Sequence, residues 1–590
     1  MRNLRSLNKY FVRHKWRLLA GLLFVAISNI FAVVTPAIVR NVLDEVQSNL
    51  GFYRLVSDTK IAPVYRDFVF QLVFWNGILL LVLALLRGVF MFFMRQTIIV
   101  MSRHIEYDQK SEIYAHYQSL PQNFFKTNAT GDLMNRIAED VSRVRSYTGP
   151  SIMYFTNMLV MTVMSIAGML RVNAELTLYV ITPLPLLAIT MYKVNKIIFK
   201  KSGQIQNEQS KLTTVAQESY SGIRIIKAFV QEKTMIGFFN KNAEDYKKSS
   251  INLSLTEAFY FPAINLFIGL SMLITVLIGG FFAIHGKITT GNIAEFVIYI
   301  NMLTFPISSI GMVASMTQRA GASQLRIDEF LETKSDVENP TNGYKNEIKG
   351  AIEFKNVTFT YPHTGITALK NFNLSIKPGE KVAIMGKTGA GKSSIAQLLL
   401  RMYDPTSGAI TIDGHDLRST DLYHLRKQIA YTPQDAYLFS DTIANNIRFG
   451  KDEATDEQVK QAATFAAVNR DIEGMPDAYG TQVGERGVTL SGGQKQRIIL
   501  ARALIKNSPV LMLDDCLSAV DTKTEAAIVG HLSQYLADKT ALIITHRIFA
   551  GFHYDKIIVL DEGAIVEAGT HEELMALNGR YSEIFRHQTH

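Results

Sequence analysis

The 590-residue chain is poor in cysteine and in charge. A single cysteine, Cys516, excludes a disulfide framework and a cysteine-rich zinc module. Charged residues make up only 19 %, against about 25 % in an average soluble domain, while 48 % are hydrophobic; an extended disordered chain is excluded. A cleavable signal peptide is not expected either, because the first apolar run is too long and no small-residue cleavage site follows it. The length is too great for one domain. A formal charge of +9 leaves nucleic acid and the cytoplasmic face of a membrane both open until its distribution is read.

What is present is a set of apolar runs of bilayer-spanning length, about 20 residues as a helix. They lie near Leu18–Val39, Phe68–Met94, Ser151–Leu170, Leu176–Met191, Phe259–Ile284 and Ile293–Met312. The fourth is the shortest, and Pro183 and Pro185 should kink it, a feature membrane helices tolerate. A short turn around Arg171–Glu175 makes a hairpin of the third and fourth. Arg2, Arg5, Lys9, Arg13, Lys15 and Arg17 precede the first run with no acid among them, which places the N-terminus in the cytoplasm. With that orientation roughly 24 basic residues fall inside and about 6 outside. The positive charge therefore follows the membrane boundary, and no nucleic-acid partner is expected. Residues 95–150 and 193–258 carry helical periodicity and should project into the cytoplasm as long helices.

Past Met312 the hydropathy drops. Residues 1–332 read as the membrane domain and 333–349, with Pro340 and Gly343, as a linker. In 350–590 short β-rich runs (Ile352–Phe354, Lys381–Met385, Val510–Leu513, Ala541–Thr545) alternate with helical stretches, the α/β signature. A buried strand, Val382–Met385, leads into Gly386-Lys387-Thr388-Gly389-Ala390-Gly391-Lys392-Ser393 and an apolar helix over Ile395–Arg401. This is a phosphate-binding loop in its required strand–loop–helix setting. Its backbone N–H groups and helix dipole suit phosphates, Lys392 the β- and γ-phosphates, and the Ser393 hydroxyl Mg²⁺. The strand Val510–Leu513 delivers Asp514 and Asp515 at its tip, and Asp514 suits the same ion.

Between these lies Leu490-Ser491-Gly492-Gly493-Gln494, opening a helix over Lys495–Ile505. With this segment the chain resembles the ATP-binding cassette family, and with six spans ahead of one cassette it resembles an exporter half-transporter. The resemblance implies a six-helix membrane domain with long cytoplasmic extensions followed by an α/β P-loop cassette. It also implies ATP and Mg²⁺ as cofactors, and a second half-transporter chain as partner, two cassettes sandwiching two ATP molecules. By the same resemblance Tyr361 stacks on adenine, and the phosphate loop with Ser394 holds the phosphates. Gln434 senses Mg²⁺, His546 contacts the γ-phosphate, and Leu490–Gln494 completes the partner's ATP site. Ser518–Asp521 resembles the loop that crosses the dimer interface, and Thr481–Gly487 the exporter-specific segment facing the membrane domain. Leu120–Phe125 with Thr130–Arg136, and Glu218–Phe229, resemble the two coupling regions.

One position departs from the family pattern. Exporters of this kind usually carry glutamate after the metal-binding aspartate, as general base for the attacking water; here it is Asp515. Its carboxylate falls one methylene short, about 1.5 Å, and misplacement of about 1 Å can cost about 100-fold in rate. Leu513–Asp521 resembles the impaired-site subunit of heterodimeric multidrug exporters, so a heterodimer is favoured and a homodimer remains open. The expected function is ATP-driven export of hydrophobic or amphipathic small molecules, drugs or lipids, across the cytoplasmic (inner) membrane. A lipid flippase and an ATP-gated channel are the alternatives. No peptidase domain precedes the first span, against a leader-peptide processor. Arg87, inside the second span, is a candidate for substrate contact, because charge there is costly.

Overall fold

The computed structural model describes residues 2–589 apart from 485, 486, 488 and 550. Glu485 and Arg486, within the exporter-specific segment, thus lie outside the described residues. Packing divides the chain into two compact units, residues 1–118 with 131–333 and residues 119–130 with 334–590.

The first unit is built on six helices long and apolar enough to cross a membrane: Lys15–Leu55, Ala62–Ser119, Thr130–Val172, Ala174–Ser221, Glu232–Ile284 and Thr290–Leu331. At about 1.5 Å per residue the shorter of them run to about 60 Å, twice a bilayer core, so each continues well beyond its apolar stretch. The turn between the third and fourth is one residue, Asn173, whose side chain accepts from the Leu176 N–H at 2.8 Å and caps the next helix. The kink expected in the fourth falls at Thr182, and Pro183 opens the continuing segment, where its missing N–H costs nothing. Met169, Leu176, Leu187, Ile268, Phe296 and Leu303 form the apolar centre of this unit.

Polar clamps lock the helices at both ends. At one end Arg40 donates to the buried Glu295 at 3.1 Å, and Asp44 accepts from the Gly291 N–H at 2.8 Å. At the other end Arg326 Nε donates to the buried Asp140 at 3.0 Å. The basic N-terminal stretch is held there too, Lys9 on Glu112 at 2.5 Å and Arg13 on Asp108 at 3.0 Å.

The second unit has two sheets. One is antiparallel, in the order β2-β1-β4-β5: β1 is Ile352–Thr360, β2 Thr367–Ile376, β4 Ser407–Ile412 and β5 His415–Asp416. The other runs β10-β9-β3-β8-β7-β6, with β3 Lys381–Gly386, β6 Ile429–Thr432, β7 Val510–Asp514, β8 Thr540–Ile544, β9 Lys556–Asp561 and β10 Ala564–Gly569. Its strands are parallel except for the edge strand β10. β3, β7 and β8 are apolar from Val382 to Met385, Val510 to Leu513 and Ala541 to Ile544, because both faces are covered there. Residues 334–349 run along this unit: the Tyr344 ring stacks on His415 at 3.6 Å, and Asn339 donates to Asp421 at 3.1 Å.

Two helix starts differ from the sequence expectation. The helix after the phosphate loop is Lys392–Leu399, three residues earlier than expected, because Gly391 at φ 99° turns the chain straight into it. Arg401 lies beyond its end at φ 47°. The helix after Leu490 begins at Gly492, not Lys495, because Ser491 is its N-cap.

Candidate nucleotide site

The parallel strands β3, β6, β7 and β8 end on one side, and the loops that follow them surround a cleft of about 420 Å³. This is the carboxyl end of an α/β sheet, where ligands are received. Tyr361, Thr388, Gly389, Gly391, Lys392, Ser393 and Ser394 line it, as do Gln434, Asp514, Asp515 and His546. Gly386, Lys387 and Ala390 contribute backbone instead. A Cβ on Gly386 would meet the Leu560 carbonyl at 2.2 Å, and one on Gly391 the Ala368 carbonyl at 2.2 Å, so only glycine lets the loop pass there. The Lys392 ammonium donates to the carbonyls of Gly386 and Lys387 at 2.8 and 2.9 Å, bracing the loop across its own turn. Ala390 is buried in the core beneath it.

Burial pulls the Lys392 ammonium below the usual lysine range, with Asp515 and Asp514 opposing the shift. Burial also pushes the Asp514 carboxyl up; the Ser393 hydroxyl opposes this and the neighbouring Asp515 adds to it. Asp514 is only 2 % exposed, and the Tyr431 hydroxyl lies 3.5 Å from its Oδ2. A buried carboxylate so sparsely served is a place for a cation. Asp514, the Ser393 hydroxyl and Gln434 offer hard oxygen donors in one cleft, a donor set that fits Mg²⁺. Asp515 turns out of the strand at φ 46°, its N–H donating to the Ile544 carbonyl at 2.9 Å. Cys516, next in the chain, is fully packed away, and burial pushes its thiol up to about 12, so it is chemically inert.

Leu490–Gln494 does not line this cleft. Ser491 and Gln494 cap each other, the Ser491 hydroxyl accepting from the Gln494 N–H at 3.3 Å and the Gln494 side chain from the Ser491 N–H at 3.1 Å. Gly493 passes close to the Ser518–Asp521 loop, where a Cβ would come 2.7 Å from the Ala519 carbonyl. Ser491 and Gly492 stand exposed at a helix start.

Three cleft residues, Tyr403, Gln397 and Lys126, escaped the sequence reading. Tyr403 packs edge-on against Tyr361 at 5.5 Å, and Gln397, with the expected site residue Ser394, holds the Tyr361 hydroxyl at 3.1 and 2.8 Å. Lys126, on the short helix Gln122–Thr127, also lines the cleft. That helix packs with the second unit, and Asn123 beside it donates to Asp336 at 3.0 Å. Gln397 was open to sequence inspection, since it stands three residues after Ser394 and so on the same helix face; Lys126 falls between the two stretches that resemble the first coupling region.

Comparison with known proteins agrees with this arrangement. Residues 18–307 match the ABC transporter transmembrane region, and residues 369–518 the ABC transporter domain. A Bacillus subtilis protein named "Probable multidrug resistance ABC transporter ATP-binding/permease protein" is 38 % identical over 481 residues, 81 % of this chain and 82 % of its own length. The chain belongs to the ABC transporter family. A Staphylococcus aureus relative with a multidrug-export ATP-binding/permease name is 33 % identical, covering 97 % of both chains. The solved structure of a bacterial Atm1-family ABC exporter with ATP bound superposes with a TM-score of 0.76 at 26 % identity, over 98 % of each chain. This ABC protein is therefore a multi-pass membrane half-transporter of the exporter type, with an ATP-hydrolysing cassette in the cytoplasm.

Proposed function

We propose that the chain exports hydrophobic or amphipathic small molecules across the cytoplasmic membrane by ATP-driven alternating access, as one half of a heterodimer in which its own ATP site is the slow one. The relatives' multidrug names support the substrate range. The observation that carries the asymmetry is Asp515, a shortened carboxylate in an otherwise complete cleft.

In this reading Tyr361 stacks on adenine, and the N–H groups of residues 386–394 with the Lys392 ammonium take the phosphates. Asp514, Ser393 and Gln434 hold Mg²⁺, which when bound neutralises charge on the phosphates. His546 donates toward the γ-phosphate, and Asp515 accepts the proton of the attacking water from a position one methylene too far back. Leu490–Gln494 serves the partner's ATP, its exposed helix start being an anion site that its own chain does not use. The membrane domain spans 1–332, the connecting segment 333–349 and the cassette 350–590. Closing of the cassettes on ATP drives the membrane helices between two states.

Inside-out vesicles carrying the chain with its partner should accumulate a hydrophobic fluorescent dye above its equilibrium level when ATP is added. Equilibration without accumulation would identify a channel, and ATPase stimulation by lipid alone a flippase; either would overturn the proposal.

A further inference from the structure

The membrane unit holds a second cavity, of about 340 Å³, walled by the first, second, third and sixth helices. Its lining is mixed. Met161, Met302 and Phe305 supply apolar surface, but Asn29, Asn157, Asn301 and Arg87 share the wall. Among the described residues no acidic one does.

The polar groups are arranged so that donors are left over. The buried Asn29 gives its amide N–H₂ to the Val25 carbonyl and to Asn157 Oδ1, both at 2.9 Å. Asn157 thus has its acceptor occupied, while its own N–H₂ donates to no protein atom among the described residues. Asn301 donates to the Val297 carbonyl at 3.0 Å. Arg87 makes no hydrogen bond and no ion pair among the described residues. The nearest contrast is Arg40 on the first helix, whose charge is answered by Glu295 at 3.1 Å. Arg87 lies seven residues, a helical rise of about 10 Å, inside the end of its apolar run at Met94, within the span expected to cross the bilayer. A guanidinium at that depth with no carboxylate beside it is costly, and an anion entering the cavity removes the cost.

We propose that this cavity binds anionic amphiphiles, solutes with a carboxylate, sulfonate or phosphate head on an apolar body. The head sits on the Arg87 guanidinium and the Asn157 amide, and the body lies against Met161, Met302 and Phe305. The proposal rests on the export reading and narrows its substrate class. The anion's source is either a soluble solute or an acidic lipid headgroup, which share this chemistry.

The test is fluorescence titration of the full-length protein in phosphatidylcholine nanodiscs with dansylglycine and with its uncharged methyl ester. The wild type should bind the acid about tenfold more tightly than the ester, the scale of one charge-assisted hydrogen bond. Arg87→Ala should reduce that preference to about one, while Arg87→Lys should keep part of it. Binding of a fluorescent ATP analogue to the cassette should stay unchanged in both variants, which shows that they are folded. Equal affinity of the wild type for acid and ester, or an unchanged preference in Arg87→Ala, would overturn the proposal. Doping the nanodiscs with phosphatidylglycerol separates the sources: competition with dansylglycine assigns the site to a lipid headgroup, and its absence to a soluble anion. Dye accumulation in vesicles with no charge preference here would sink this site alone. A charge preference without accumulation would sink the export reading and leave the site standing.

Discussion

At the scale of single residues, the cleft is decided by a few groups whose surroundings leave them little freedom. Lys392 is 7 % exposed and already engaged with two carbonyls of its own loop, so its ammonium is aimed before any nucleotide arrives. Asp514 is buried and served by a serine hydroxyl, which leaves it dependent on a cation. Asp515 beside it differs in being only partly buried and in sitting on a left-handed turn that aspartate tolerates. Lys392→Ala removes the brace across the loop and, on the proposed function, a charge-assisted contact to the phosphates. Nucleotide binding by the wild type at 100 times its dissociation constant should stabilise the fold by about 2.7 kcal/mol. Lys392→Ala should lose most of that ATP-induced rise in unfolding temperature. A rise as large as the wild type's would remove Lys392 from the phosphate site.

At the scale of elements, the strand–loop–helix unit was legible because three features coincide: an uninterrupted apolar run, a glycine pattern and a lysine-serine pair. The six spans were legible for a similar reason, since bilayer-length apolar runs need no tertiary context. Helix starts were less so. The first helical residues after the loop, Lys392 and Ser393, are polar, and only the positive φ of Gly391 reveals that the helix has begun. Lys126 was illegible because its place in the cleft depends on a fold-back of residues 119–130 onto a unit far along the chain. The signature helix illustrates how closely an element's start can be packed. Its cap is contributed by the reciprocal Ser491–Gln494 pair, and Gly493 leaves no room for a side chain beneath the Ala519 carbonyl. Gly493→Ala must therefore shift this loop. In the assembled transporter it should cut ATPase activity by at least tenfold, while the chain's own cleft still binds an ATP analogue normally, since the signature does not line it. Wild-type ATPase activity in this variant would show that the signature has no part in hydrolysis.

At the scale of the whole molecule, the proposed function gives one chain two half-sites of unequal quality: a cleft whose proposed base, Asp515, is short, and a signature segment, Leu490–Gln494, that does not line that cleft. A homodimer built from it would pair two slow clefts with two good signatures. In the proposed heterodimer the chain is used fully: ATP held in this cleft would keep the cassettes associated, while a sister chain with glutamate would hydrolyse under this chain's signature. The chain alone should then turn over ATP slowly, and assembly with the sister should raise the rate by about 100-fold, the scale of a base misplaced by about 1 Å. Asp515→Glu should speed hydrolysis by the isolated chain, because the carboxylate advances by one methylene toward the water. Asp515→Ala should cost the heterodimer little, since the proposal puts the fast site on the other chain. The measurement is steady-state ATPase activity of purified wild-type and variant proteins, alone and paired. A fully active homodimer that loses nearly all turnover on Asp515→Ala would make Asp515 a working general base, and the division of labour between two chains would have no physical ground.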